Sequence, residues 1–158
     1  MSELTVNVTR LEAMRVVCFN GFGPSPEGVA LQKLAEWAAA NSLKGRVFGY
    51  NNPSPAVGSP NYGYDAWMQV DKDVTAPQDA RVIDFPGGLY GVARVHVNNP
   101  EQDIPEAWHA LVRWMEERGF QHGQHQWLEE CLTPHLLTFA SQEEMGRTVL
   151  DLYLPIAE

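Results

Sequence analysis

The sequence repeats itself at nearly half its length of 158 residues. The same three apolar residue types, at the same spacing, recur in two segments that lie 77 positions apart. They are Ala30, Leu34 and Trp37 in the first segment and Ala107, Leu111 and Trp114 in the second. Such spacing is typical of one face of a helix that packs on a sheet. A repeat of this size predicts two copies of one small unit, which restricts the fold more than the composition does.

The segments that flank the two helices repeat as well. Alternation of apolar residues predicts strands before each helix and after it. The pattern is strand, strand, helix, strand, strand in each copy, and three of the four strands span residues 14–20, 46–50 and 64–70 in the first copy and 91–97, 125–133 and 150–156 in the second. The sequence therefore predicts an α+β fold in a single domain, 1–158, built from a duplicated ββαββ unit over 4–72 and 80–157. Two such antiparallel sheet lobes, with one helix each, are expected to form a central cleft where they meet.

Capping signals predict where the two helices begin. Ser25 followed by Pro26 supplies a cap and a first-turn proline for the first helix. Asp103 and Pro105 supply the same signals for the second helix, which Gly119 ends. We therefore expect helices that begin after Ser25 and after Asp103.

The chain is acidic, with a net charge of −9 from 20 acidic and 11 basic residues. An acidic surface repels phosphate backbones, and the sequence has no basic patch or helix-turn-helix pattern to offset that repulsion. We therefore predict no direct binding to nucleic acid. The acidic balance suits a cationic ligand, although solubility alone also explains it.

The sequence also bears on the cellular compartment of the protein and on metal binding. No segment has the length and hydropathy of a membrane span, and no secretory signal opens the chain. Cys18 and Cys131 both fall in predicted strands, so we expect reduced thiols in a cytoplasmic protein. His122 and His125 have the spacing of a metal pair, but no third ligand lies nearby in sequence, and we expect no metal or other cofactor.

Alternation along the strands predicts which side chains point away from the helices. Leu128, Leu132 and the leucines of the last strand are assigned to the helix side. The opposite face then collects aromatic side chains around the carboxylate of Glu129. They are Phe19, Phe48, Tyr50, Trp67, Trp127 and Tyr153, together with His96 and Cys131. A sheet face in contact with solvent rarely carries so many aromatic residues, so we predict that this face lines a ligand site.

A carboxylate among aromatic rings favours flat, amphipathic and often cationic molecules. Desolvation raises the pKa of such a group until a cation stabilises its charge, and the rings add cation–π attraction. The same carboxylate is also suited to general acid or base chemistry. The alternative is that Glu129 is an exposed strand residue beside Glu130 with no role in binding.

Six short motifs follow one another in order between residues 6 and 156. They are Val16-Val17-Cys18-Phe19, Gly23-Pro24, Tyr64-Asp65-Ala66, Pro86-Gly87-Gly88-Leu89-Tyr90, Leu128-Glu129 and Leu152-Tyr153-Leu154-Pro155-Ile156. With this order and the duplication, the chain resembles the GyrI-like small-molecule-binding domain. That domain is the effector-binding part of many AraC- and MerR-type multidrug regulators and also occurs alone. The resemblance implies a pseudo-twofold arrangement of the two lobes around the ligand cleft.

The resemblance also implies a binding residue. The family places a glutamate in a short motif, an aromatic residue followed by Glu, any residue and Tyr, which reads Leu128-Glu129-Glu130-Cys131 here. Glu129 takes the acidic position. Cys131 in place of tyrosine removes a ring and a hydroxyl from the site, and we expect Trp127 and Trp67 to supply aromatic surface instead.

Three functions follow from the resemblance. The first is a stand-alone protein that binds amphipathic, cationic or aromatic small molecules in the cleft, with Glu129 as the anchor. The second is a hydrolase of reactive cyclopropane-containing natural products, in which Glu129 activates water and Tyr153, Tyr50 or His96 orients the substrate. The third is a protein-interaction module of the gyrase-inhibitor type. A regulator that supplies DNA binding, or a second copy of the chain, is the expected protein partner.

A long loop joins the last two strands of each copy, at 51–63 in the first copy and at 134–146 in the second. The first is rich in proline and glycine, and the second carries Leu136, Leu137 and Phe139. Loops of this length in a small domain are often functional. The sequence leaves open whether they act as lids over the cleft or as an interface with another protein.

Overall fold

The structure is a computed structural model that describes residues 4–52, 54, 56–132 and 148–158. Within these residues the chain forms eight strands and two helices. In chain order they are β1 (Val6–Leu11), β2 (Met14–Gly23), α1 (Pro26–Ala40), β3 (Val47–Asn51), β4 (Tyr62–Val70), β5 (Arg81–Phe85), β6 (Gly88–Val97), α2 (Pro100–Glu117), β7 (Leu128–Cys131) and β8 (Thr148–Pro155). Within each half the strand pairs are antiparallel, which confirms the predicted α+β class.

The described residues of 14–85 form one compact unit, called here the α1 unit. Its strands have the order β3-β4-β2-β5, and α1 packs on one face of them. Gly21 of β2 lies beneath the first turn of α1, where a Cβ atom would clash with the carbonyl oxygen of Pro26. The close approach of helix and strand therefore requires glycine at this position.

The described residues of 1–13 and 86–158 form the second compact unit, called here the α2 unit. Its strands have the order β1-β6-β8-β7. The ring of Trp114 on α2 lies over Gly91 of β6, which pairs with Leu154. Leu152 and Leu154 are fully buried. The helix therefore covers the face of β8 that carries these leucines, as the sequence predicts.

Each unit contains one strand from the other sequence repeat. β1 is the first strand of the first repeat, yet it pairs with β6, from Val6 opposite Ala93 to Leu11 opposite Gly88. β5 is the first strand of the second repeat, yet it pairs with β2. The compact units thus differ from the repeats 4–72 and 80–157 by an exchange of first strands. The predicted pseudo-twofold arrangement around a cleft stays a prediction.

The two helices bury equivalent positions. α1 begins at Pro26 after Ser25, as the sequence predicts. The apolar positions that are buried in both helices lie 77 positions apart: Ala30, Leu34 and Ala38 in α1, and Ala107, Leu111 and Met115 in α2. Neither described helix is long and apolar enough to cross a lipid bilayer.

α2 begins about one turn earlier than the sequence predicts. Its capping residue is Asn99, and Pro100 takes the first turn. Asp103 lies inside the helix, where its carboxylate accepts hydrogen bonds from the backbone N–H groups of Asn98 and Asn99, both at 2.8 Å. The predicted start is wrong because the pair Pro-Glu occurs twice in this segment, and the helix accommodates the second proline, Pro105, in its interior.

The strands of the two repeats correspond at separations that differ from that of the helices. Cross-strand pairing makes Cys18 of β2 equivalent to Val92 of β6, 74 positions apart. It also makes Gly49 of β3 equivalent to Glu129 of β7, 80 positions apart. Alignment at the helical separation of 77 shifts both strand pairs by three positions. An odd shift moves every side chain to the other face of its strand.

The two long loops are described only in part. β3 ends at Asn51 and β4 begins at Tyr62, so the first predicted loop does separate these strands. The predicted loop 134–146 lies outside the described residues. The roles of both loops as lids or interfaces stay predictions.

Candidate functional site

Glu129 points to the side of the sheet that α2 covers. It pairs with Leu152 of β8, and Leu152 belongs to the buried, helix-covered face. Trp108 on α2 reaches the same place, and its indole nitrogen Nε1 lies 3.4 Å from Oε1 of Glu129. The carboxylate is half-buried. The indole N–H therefore donates a long hydrogen bond to the carboxylate at the junction of helix and strand.

A second indole extends this surface. The rings of Trp108 and Trp127 lie 5.5 Å apart between centroids at an angle of 36°. The ring of His122 stacks parallel to Trp127, with centroids 6.1 Å apart. Trp127 is 41% exposed, which is unusual for so large an apolar side chain. Trp108, Trp127, Glu129 and His122 together are called here the Glu129 cluster.

The predicted face of Glu129 is wrong. Glu129, Trp127 and Cys131 were expected opposite the helices, whereas Glu129 and Trp127 meet Trp108 of α2. The expectation rested on Leu128 as the more apolar neighbour of Glu129. Leu128 is indeed fully buried, but on the face away from α2. Side chains on both faces of β7 are buried, so the hydrophobicity of a residue does not show which face of the strand α2 covers.

Tyr153 and Glu129 do not form the predicted catalytic pair. Tyr153 lies opposite Leu128, on the face away from α2. Its hydroxyl donates a hydrogen bond of 2.7 Å to Oε1 of Glu130, and both side chains are buried. Adjacent residues of a strand point to opposite faces, so Glu130 reaches Tyr153 and Glu129 does not.

Two further residues of the predicted site lie in the α2 unit, on opposite faces of its sheet. Cys131 is buried on the same side of β7 as Glu129 and lies opposite Leu150. His96 is exposed near the end of β6, opposite Val149, on the face away from α2. Cys131 thus neighbours the Glu129 cluster along the strand, and His96 does not.

The remaining predicted residues belong to the α1 unit. Trp67 and Tyr50 lie on the face away from α1, with their rings edge to face at 5.3 Å. Phe19 lies on the other face, where its ring contacts Trp37 of α1 at 5.7 Å. The predicted position of Phe19 beside Trp67 is therefore wrong. Phe19 pairs with Ala66 of β4, and the next residue along β4, Trp67, points to the opposite face.

A buried carboxylate stands beside Tyr50. Asp65 is 1% exposed and accepts hydrogen bonds from Nδ2 of Asn20 at 2.7 Å and of Asn52 at 2.9 Å. The guanidinium of Arg81 lies 3.0 Å away. Burial raises the pKa of Asp65, but the hydrogen bonds and the Arg81 charge outweigh it and hold that pKa below its usual value.

The pKa values of two groups near Asp65 are raised, whereas that of Asp65 itself is lowered. Burial and the Asp65 charge raise the pKa of the Tyr50 hydroxyl. The same two causes raise the pKa of the Cys18 thiol to about 11. The phenol and the thiol therefore stay protonated at neutral pH, which makes this cluster a poor source of a nucleophile.

The contacts of His125 are structural. Its Nε2 lies 2.8 Å from the carbonyl oxygen of Leu89, and its ring contacts Tyr90 edge to face at 4.7 Å. Gly88 and Gly123 leave room for the ring, since a Cβ atom at either would lie 2.5 Å from it. Among the residues that the structure describes, no group of three His, Cys, Asp or Glu side chains is arranged to hold a metal ion.

Sequence reasoning missed Trp108. It lies next to Ala107, at the edge of the buried stripe of α2. A tryptophan at such a boundary usually finds a hydrogen-bond acceptor for its N–H. That preference, combined with the nearby acidic motif of β7, is the signal that could have identified it.

The family of the chain follows from its sequence. The model of the Cass2 family, described as integron-associated effector binding protein, matches residues 7–156. The chain therefore belongs to this family, and the predicted relationship to GyrI-like effector-binding domains is confirmed. A search of curated protein sequences gave no significant match.

Solved structures of other proteins share the fold at low sequence identity. The C-terminal domain of EcmrR is 10% identical with a TM-score of 0.67, and the match covers 98% of both chains. In the EcmrR–DNA complex the match covers 98% of this chain but only 58% of EcmrR, at 10% identity and a TM-score of 0.68. A hydrolase from Listeria innocua is 12% identical with a TM-score of 0.70, over 98% of this chain and 93% of that one. SAV2435 bound to tetraphenylphosphonium is 9% identical with a TM-score of 0.52, over 97% and 94%.

Proposed function

We propose that the chain binds cationic aromatic small molecules at the Glu129 cluster. The observation that carries this proposal is the contact of 3.4 Å between the Trp108 indole and the Glu129 carboxylate, beside the exposed ring of Trp127. The carboxylate offers a charge to a cation. The two indoles offer flat apolar surface next to it. Trp67, Tyr50, Phe19, Tyr153 and His96 are not part of this proposal.

The expected ligand follows from the chemistry of these groups. A cation over an indole face gains about 0.5–2 kcal/mol, more when the site is desolvated. A half-buried carboxylate adds Coulomb attraction that a neutral ligand does not receive. Large, weakly hydrated cations lose little solvation on binding, so they benefit most from both contributions. Membership of the Cass2 family supports a ligand-binding role. SAV2435, which shares the fold, is bound to a cation of this kind, tetraphenylphosphonium.

The two other functions have less support. The hydrolase alternative combined Glu129 with Tyr153, Tyr50 or His96, and of these Tyr153 and His96 lie on the face of the sheet opposite to Glu129. The hydrolase from Listeria innocua shares the fold alone at 12% identity. No contact in the described residues favours a gyrase-inhibitor type of interaction, which stays a hypothesis.

Titration with tetraphenylphosphonium tests the proposal. We expect the ligand to quench tryptophan fluorescence in a saturable way, because two of the chain's five tryptophans border the site. Glu129→Gln keeps the shape and removes the charge, and we expect it to weaken binding at least tenfold, which corresponds to about 1.4 kcal/mol. Glu116→Gln, on an exposed position of α2, makes the same change of net charge and serves as the control.

The titration has a clear negative outcome. If Glu129→Gln and Glu116→Gln bind tetraphenylphosphonium as tightly as the unchanged protein, Glu129 is not the anchor. Triphenylphosphine oxide, a neutral analogue, gives a second comparison. We expect it to bind the unchanged protein and Glu129→Gln with the same, weaker affinity.

A further inference from the structure

β1 is an edge strand with little of the usual protection against pairing. One side of β1 pairs with β6 from Val6 to Leu11 without a bulge, and its other side faces no strand within the described residues. Its sequence, Val-Asn-Val-Thr-Arg-Leu, contains no proline, lysine or glycine. Val8 is 47% exposed. Such an edge offers a row of backbone N–H and C=O groups to a further strand.

β5, which lies at an edge of the α1 unit, is protected in contrast. It pairs with β2 on one side, and two of its five residues are charged and solvent-facing. The side chain of Arg81 is 60% exposed and that of Asp84 is 84% exposed. Charged side chains on an edge strand oppose the addition of another strand. β5 thus carries two such charges among its five residues, whereas β1 carries one, Arg10, among its six.

The sequence of β1 is complementary to itself about Val8. In an antiparallel pair across a twofold axis, Val8 faces Val8 of the second copy, Asn7 faces Thr9, and Val6 faces Arg10. The one charged residue of β1, Arg10, forms an ion pair with Glu158, so in a chain of net charge −9 two copies approach here with little like-charge repulsion. We propose that β1 is the interface of a homodimer in which the β1 strands of two copies pair antiparallel about Val8.

The surroundings of the edge leave room for the second copy. A groove of about 1430 Å³ borders β1, and its lining includes Val6 and Asn7 of the edge and Ala110 and Trp114 of α2. Side chains of an incoming strand that face Val6 therefore enter open space. Six residues of strand extend only about 20 Å, which is short for a protein interface. We expect a weak dimer that forms at micromolar or higher concentration.

Cysteine trapping tests the pairing and its register. Directly opposed residues of an antiparallel pair have Cα atoms about 4.5–5.5 Å apart, within the range of a disulfide. We expect Val8→Cys to form a covalent dimer under mild oxidation. Val29→Cys, at a position of α1 that is 43% exposed, serves as the control and should stay monomeric. The two native cysteines are buried and should not contribute.

The register makes a second, sharper test. Asn7→Cys and Thr9→Cys should cross-link when mixed, because these residues face each other across the axis. Each alone should not, since its own copies lie about 8 Å apart, beyond disulfide range. Cross-linking of each variant alone as readily as the mixture would overturn the register and with it the proposal.

Sedimentation velocity measures the same interface without cross-links. We expect the unchanged protein and Val29→Lys to shift from monomer to dimer with concentration, and Val8→Lys to stay monomeric because it places two like charges face to face. A protein that is monomeric at several hundred micromolar would overturn the proposal and leave the edge to a strand of another protein. A dimer that Val8→Lys leaves intact would place the interface elsewhere, which also overturns it.

Discussion

At the scale of single residues, two adjacent glutamates have different environments because of strand alternation. Glu129 lies beside Trp108 on the α2 side, half-buried. Glu130 is buried on the other side, with the Tyr153 hydroxyl at 2.7 Å. Glu129 is the carboxylate that we propose as the ligand anchor, and Glu130 is held within the fold by Tyr153. The sequence motif identifies the pair of acids, but only the pairing of β7 with β8 tells them apart.

Removal of the Tyr153 hydroxyl should destabilise the protein. Tyr153→Phe takes a hydrogen-bond donor away from a buried carboxylate, and such a loss costs about 1–3 kcal/mol. Tyr62→Phe is the matched control, since the Tyr62 hydroxyl donates to Glu27 at 2.6 Å in a less buried place. Urea unfolding at pH 7 measures both. An equal loss in the two variants would contradict the role of burial at Tyr153.

Asp65 should make stability depend on pH in the acid range. Its pKa in the folded protein lies below its usual value, which is about 3.9 in an unfolded chain. Its charge therefore stabilises the fold above about pH 4, and this contribution is lost as the pH falls toward the folded pKa. We expect Asp65→Asn to lower stability at pH 7 and to flatten its decline between pH 5 and 3.

The control for Asp65 is Asp84→Asn, at an exposed position of β5. Urea unfolding across pH 3–7 should give this variant the pH dependence of the unchanged protein. If Asp65→Asn declines with acid as steeply as Asp84→Asn, the hydrogen bonds around Asp65 do not set the acid sensitivity.

At the scale of elements, two glycines differ in whether the backbone requires them. One lies in the turn between β5 and β6, and the other lies in the first turn of α1. Gly87 has a φ of +79°, and a Cβ atom there would clash with the carbonyl oxygen of Leu11. Gly28 lies in α1, where a Cβ atom would meet nothing within 4 Å. The first glycine is required by geometry, and the second only weakens a helix.

Alanine substitution should separate these two cases. We expect Gly87→Ala to lower the free energy of unfolding by more than about 1 kcal/mol, because the new side chain is strained and has no space. Gly28→Ala should raise it by about 0.5–1 kcal/mol through helix propensity. Thermal unfolding followed by circular dichroism measures both, and a change of the same sign in the two variants would contradict the geometry.

At the scale of the whole molecule, the exchange of first strands defines the compact units. β1 belongs with β6 and β8, although the repeat in sequence joins it to β2. β5 belongs with β2 in the same way. Regions that pack together tend to open together, so each exchanged strand should share the stability of its new sheet.

Hydrogen exchange on core variants tests this exchange of strands. Leu111→Ala opens a cavity under α2, and Leu34→Ala opens one under α1, each at a cost of about 2–5 kcal/mol. We expect the amides of β1 to lose protection with β6 and β8 in Leu111→Ala. In Leu34→Ala we expect β5 to lose protection with β2 and β4. A β1 strand that instead follows β2 in Leu34→Ala would contradict the assignment.

The sequence by itself determined the local features and the family. The buried stripes of both helices, and the strands for which ranges were predicted, follow from periods of 3.6 and 2 that are visible along the chain, as Ala30 and Ala107 illustrate. The six short motifs that indicated the family are local patterns of the same kind, and the family is confirmed over residues 7–156.

Tertiary structure alone decided the partners and the faces. Which sheet β1 joins depends on contacts with residues more than 75 positions away, which no local period records. The face of Glu129 is set by its pairing with Leu152 of β8, and the hydrophobicity of its buried neighbour Leu128 does not reveal that face. Trp108 enters the site only because α2 packs over that face. Alternation specifies two faces of a strand but not which of them a helix covers when both are buried.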